Sequence, residues 1–145
     1  MIRSAKISPM PSVFAKLNYK DQDQMVVLDA PASFEPELAA LKGIEILRDL
    51  KKASRFSFLV AFVTTQKQVD ALGAGIAKKA DGDAIVWMAY PKGSSKRFQS
   101  EISRDHGWDA LVRAGFETVR LVAIDEDWSA LRFRKAEFIK RPKKT

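Results

Sequence analysis

The sequence predicts an α/β domain: a mostly parallel sheet with helices on both faces and an antiparallel hairpin at one edge. Three observations carry this. Two almost unbroken apolar runs, residues 56–63 (FSFLVAFV) and 84–90 (AIVWMAY), read as strands buried on both faces, as in the middle of a parallel sheet. Between them Val69, Leu72, Ile76 and Ala80 keep helical spacing, so strand and helix alternate. Farther on, two strand-like runs, 117–124 and 128–134, are separated only by Asp125, Glu126 and Asp127. That gap is too short for a crossover, so the last strand runs antiparallel.

In chain order, residues 1–10 read as a flexible end, and Ser12 as the cap of a short helix over 13–17. Residues 25–30 (MVVLDA) form the first strand. Ser33 caps a helix over 34–41, where Pro36 falls in the first turn and its missing N–H costs nothing. Gly43 ends that helix, 44–47 is a short second strand, and 48–55 is a polar connector. After the strand over 56–63, Thr64 or Thr65 caps a helix reaching Lys79; Gly73 and Gly75 inside it point to close helix–sheet contact. Asp81-Gly82 turns the chain into the strand over 84–90. A loop then leads to a helix over about 101–114, stopped by Gly115, with Trp108, Leu111 and Val112 as its buried stripe. The hairpin and one helical turn at 136–139 close the chain, and residues 140–145 read as a second flexible end.

A chain of 145 residues is one domain's worth, expected here as a single unit over 1–145. It has no cysteine, which excludes disulfides and thiolate chemistry and fits a reducing cytoplasm. Its ends and interior lack a signal peptide and an apolar run long enough to span a membrane, so no membrane partner is expected. The net charge of +7 is local. From residue 132 to 145 there are seven Lys/Arg against Glu137, which leaves +1 for the rest. A polybasic tail attracts nucleic-acid phosphates weakly, or simply solubilises a frayed end. Oligomeric state is not readable.

The loop after the strand over 84–90 opens at the carboxyl edge of the sheet, where open α/β folds place ligands. Lys92, Gly93, Ser94, Ser95, Lys96, Arg104, Asp105, Asp125 and Trp128 should gather there. Glycine, hydroxyls, lysines and helix amides are the materials of an anion site. The plainer reading is that the serines and Asp105 cap the following helix while the lysines are solvated. A three-residue hairpin loop sets Val122 opposite Ala130 and Arg120 opposite Arg132. Like charges facing each other call for something anionic between them, either an acid from a covering helix or a bound phosphate or carboxylate gripped by Arg120, Arg132 and Arg134. His106 is the only histidine, so a histidine metal cluster is not expected, and no catalytic triad spacing stands out.

Residues 87–96 (WMAYPKGSSK), 103–108 (SRDHGW) and 122–134 (VAIDEDWSALRFR) together resemble an uncharacterised bacterial family, a domain of unknown function, over about residues 84–134. Residues 25–34 (MVVLDAPASF) resemble that family's first strand and loop less distinctively. The resemblance implies a small Rossmann-like domain without an assigned activity. The element order also resembles a shortened class I methyltransferase version of the three-layer Rossmann fold. That likeness implies S-adenosylmethionine held over a glycine-rich turn after the first strand, because only glycine lets the backbone approach so closely. It also implies an acid for the ribose at the end of the second strand. Here the turn reads Asp29-Ala30-Pro31-Ala32-Ser33, without glycine, and only Asp49 stands where the ribose acid belongs. The expectation is therefore no adenosyl cofactor, and a non-catalytic ligand-binding or interaction domain with a small anion at the rim. The alternatives are a divergent methyltransferase-like enzyme and a nucleic-acid-associated protein using the basic tail.

Overall fold

The computed structural model describes residues 12–20 and 22–139. The expected flexible ends, 1–10 and 140–145, and with them the outer part of the basic tail, lie outside the described residues.

Six strands form one mixed sheet: β1 (Gln24–Leu28), β2 (Glu45–Leu47), β3 (Phe56–Phe62), β4 (Ala80–Pro91), β5 (Phe116–Ala123) and β6 (Trp128–Lys135). Their order is β2-β1-β3-β4-β6-β5. The first four run parallel, and β6 lies antiparallel between β4 and β5. The α/β architecture is thus the one the sequence patterning anticipates. The hairpin register is also as expected, with Arg120 opposite Arg132 and Val122 opposite Ala130.

The apolar strands bury both faces. One face packs Val26, Leu59, Val86, Leu131 and Phe133 against α3 (Gln66–Lys79) and α4 (Asp109–Arg113), through Val69, Ile76 and Leu111. The other packs Met25, Phe58, Val60, Trp87 and Ala130 against α1 (Ser12–Lys16) and α2 (Glu35–Ala39), through Phe14 and Leu38. Trp87 is fully buried, and its indole N–H donates to the Leu17 carbonyl at 2.8 Å, tying α1 to the sheet. Thr65 caps α3 in a reciprocal box with Gln68.

Several local expectations are corrected. Ser33 lies inside a 3-10 turn (Ala32–Phe34) rather than capping α2, and β1 ends at Leu28 because Asp29 turns to φ +57. Asp81-Gly82 is not a turn. The chain passes directly from α3 into β4, and residues 81–84 bulge out of the pairing with β3. The glycines of α3 serve neighbours other than the sheet: a Cβ at Gly73 would lie 3.1 Å from the Ala110 Cβ of α4, and one at Gly75 3.0 Å from Leu50 Cδ2 of the connector. The helix expected over 101–114 shrinks to the five residues of α4. The chain before it folds into a tight turn in which Ser103 and His106 exchange backbone hydrogen bonds. Gly107, at φ +103, is packed so closely on Ile102 that no side chain fits. No described helix is long and apolar enough to cross a membrane.

Candidate ligand-binding rim

β4 ends with Pro91 paired to Trp128, so the following loop leaves the sheet beside the hairpin tip. The two segments are bonded together. The Lys92 amide donates to the Asp127 carbonyl at 2.7 Å, and Ser95 Oγ donates to Asp127 Oδ1 at 2.9 Å. Ser95 Oγ in turn accepts from the amides of Arg97 and Phe98. Arg97 stands 3.7 Å from the other Asp127 oxygen. Asp127, only 8 % exposed, is thus the post on which the loop hangs. Asp125 shapes the tip instead, with one oxygen accepting from the amides of Asp127 and Trp128.

These bonds sort the expected site residues. Lys92, Gly93 and Ser95 line a cavity of about 460 Å³ together with Tyr90, Pro91, Phe98, Ser103 and other loop residues. Ser94 and Lys96 line a different hollow, of about 260 Å³, with Arg97, Glu126 and Asp127, where the two signs of charge mix. Arg104 turns to a small hollow of about 150 Å³ beside Arg120, Val119 and Leu121. Asp105 is exposed and caps no helix, since α4 begins at Asp109 with Trp108 before it. Trp128 is buried edge-on to Phe62 and beside Phe98, and its indole N–H has no partner among the described residues. It belongs to the core.

The paired arginines find no acid from a covering helix among the described residues. Asp83 of β4 binds Arg134, with N–O distances of 2.6 and 2.9 Å. Arg132 is left with its Nε buried and without a partner among the described residues. Burial first, and then the charge of Arg134, push its pKa down; Asp83 opposes this and Arg120 adds to it.

Sequence reasoning passed over Tyr90 and Asp127. Tyr90 closes an apolar strand run, and of the three turn acids only Asp125 is expected at the rim. No sequence signal separates Asp127 from Asp125 and Glu126, because which turn acid faces inward depends on the turn geometry.

At the opposite side of the same rim, a groove of about 420 Å³ lies beside the ends of β1 and β2. Leu28, Leu50 and Leu72 give it an apolar floor, and Asp29, Arg48, Asp49, Lys51 and Lys79 surround it. Most of these charges are already engaged. Arg48 grips both oxygens of Glu35 at 2.8 Å, Asp49 accepts from the Lys51 amide, and Lys79 donates to the Leu50 carbonyl. No group of His, Cys, Asp and Glu suited to a metal occurs among the described residues.

Strand order, mixed sheet and terminal hairpin define a methyltransferase-like Rossmann fold, and solved structures agree. A SAM dependent methyltransferase from Aquifex aeolicus is similar over 86% of this chain and 88% of its own, with a TM-score of 0.60 and 11% identity. Aeropyrum pernix fibrillarin, solved with natively bound S-adenosyl-L-methionine, matches over 79% and 67% at a TM-score of 0.51 and 12% identity. The mitomycin 7-O-methyltransferase MmcR matches over 86% of this chain and 53% of its own, with a TM-score of 0.57 and 12% identity. At such identities the likeness is one of fold. No family model matches the sequence, and no curated protein is significantly similar to it.

Proposed function

We propose that this chain is a ligand-binding domain that keeps the methyltransferase-like frame without its cofactor, and that it takes a small anion in the cavity between β4 and the 92–103 loop. The observation that carries this reading is the cavity's lining. It holds the ammonium of Lys92, which makes no ion pair or hydrogen bond among the described residues, and it holds no carboxylate. Lys92 attracts negative charge there, while Asp127 beside Ser95 and Asp105, whose field reaches Tyr90, act against it. The loop is held open by Asp127 and Ser95, so little ordering is needed on binding.

Residues after β1 fit an adenosyl cofactor poorly. Asp29 brings a carboxylate where close backbone approach is needed, Pro31 supplies no N–H, and one oxygen of Asp49 is already bonded within its own turn. No methyl-transfer step is assigned to this chain.

The test is thermal unfolding of the wild type and Lys92→Gln in phosphate against chloride at equal ionic strength. At a phosphate concentration tenfold above the dissociation constant, the wild type should gain about 1.4 kcal/mol, a few degrees in Tm. Lys92→Gln should gain nothing. Equal gains in both proteins would overturn the site. Stabilisation by millimolar S-adenosylmethionine or S-adenosylhomocysteine would overturn the loss of the cofactor and favour a divergent methyltransferase.

A further inference from the structure

Tyr90 is the most buried polar side chain lining the β4 cavity, 6 % exposed, with its ring edge-on to Trp108 at 5.7 Å. Packing explains the ring but not the hydroxyl. No hydrogen bond reaches the phenol oxygen from any described residue, and that oxygen is not a fully buried atom, so it is open to the cavity. The phenol stays protonated, because burial pushes its pKa up; the field of Arg104 opposes this and that of Asp105 adds to it. It is therefore a donor that lines the cavity and lacks an acceptor.

Other groups lining the cavity can donate too, and the Gln99 side-chain amide adds both a donor and an acceptor. Lys92 offers three N–H bonds, and the Ser103 hydroxyl and the amide of Gly93 have no internal acceptor among the described residues. A Cβ at Gly93 would meet nothing within 4 Å, so the approach to that amide is open. Ser95 and Ser100 are excluded, since their hydroxyls serve Asp127 and Ile102. This set has more donors than the two oxygens of a carboxylate can satisfy well, and suits the three terminal oxygens of a phosphoryl group. The apolar walls Pro91, Phe98 and Ile102, and a volume of about 460 Å³, leave room for more than a free phosphate ion.

Building on the anion reading above, we propose that the cavity recognises a phosphomonoester: Lys92 and the Gly93 amide hold the phosphoryl group, Tyr90 donates to one of its oxygens, and the ester's organic part lies on Phe98 and Ile102. Inorganic phosphate shares the headgroup, and benzoate shares the organic part of phenyl phosphate, so calorimetric titration with all three separates the contributions. Phenyl phosphate should bind most tightly, inorganic phosphate more weakly, and benzoate least. Tyr90→Phe should lower phenyl phosphate affinity about tenfold while leaving the stability of the unliganded protein little changed. Lys92→Gln should abolish binding.

Benzoate binding as well as phenyl phosphate, or Tyr90→Phe binding like the wild type, would overturn the phosphomonoester assignment and leave the anion site standing through its Lys92 dependence. If neither phosphate compound binds the wild type at millimolar concentration, both readings fall. Should Tyr90→Phe not fold, ring resonances of Tyr90 in the wild type decide: they must shift on addition of phenyl phosphate, and unmoved resonances would overturn the role of the hydroxyl.

Discussion

The two ends of the carboxyl rim use their polar groups differently. Beside β1 and β2, acids and bases answer one another: Arg48 with Glu35, Asp49 with the Lys51 amide, Lys79 with the Leu50 carbonyl. Beside β4 and β6, Asp127 and Ser95 hold the loop in shape, while the side chains of Tyr90, Lys92 and Ser103 have no hydrogen-bond or ion-pair partner among the described residues. Matched polar groups stabilise a fold locally, and unmatched ones are held ready for something else. Fold likeness would draw attention to the first end; the chemistry of the side chains favours the second.

Substitutions can break this contrast, beginning with the β4 end. Gly107→Ala should have the largest effect. It puts a side chain at φ +103 with its Cβ 2.2 Å from Ile102 Cγ2, so a loss of about 3 kcal/mol or more is expected in chemical denaturation. Asp127→Ala should cost about 1–3 kcal/mol by removing the acceptor of Ser95, and amide exchange should speed up across residues 92–98. Asp127→Asn keeps an acceptor and should lose less. Unchanged exchange in Asp127→Ala would mean that the loop is held by other contacts.

At the β1 end the effects should be smaller and should not reach the cavity. Asp49→Ala removes the cap of a short 3-10 turn and should cost about 1 kcal/mol or less, with phosphate binding untouched. Glu35→Gln should change least. The Arg48 guanidinium holds the Glu35 carboxyl below the usual carboxylate range. A depressed carboxylate contributes fully above its unfolded pKa and loses that contribution as the pH falls through the lower, folded value. The wild type and Glu35→Gln should therefore differ slightly at neutral pH and converge in acid. The pair is exposed, so added salt should shrink the difference. A large effect of either substitution on anion binding would show that the two ends communicate.

How far the sequence was legible follows the same division. The apolar runs of β3 and β4 and the mixed face of the hairpin were readable because burial on both sides leaves no room for polar residues, and because a one-residue slip would carry arginines into the core. The segment 97–107 was not. Trp108, Leu111 and Val112 have helical spacing, and this drew the expected helix back to residue 101. Its true start is fixed by Gly107 against Ile102, a contact between residues whose backbone path periodicity does not reveal. The rim itself was anticipated, since strand direction alone brings the 92–96 loop and the hairpin tip together. The division of labour along it depends on where single hydroxyls and carboxylates point, as Ser95, Asp127 and Tyr90 illustrate.

The antiparallel strand between β4 and β5 has a consequence for how the chain matures on the ribosome. β5 is synthesised before β6 yet touches the sheet only through it. Until the residues of β6 have left the exit tunnel, β4 is an open edge and β5 has nowhere to dock. A chain released by a premature stop just after Ala123 would therefore expose two unsatisfied strands at once, which makes truncated chains of that length the ones most in need of a chaperone.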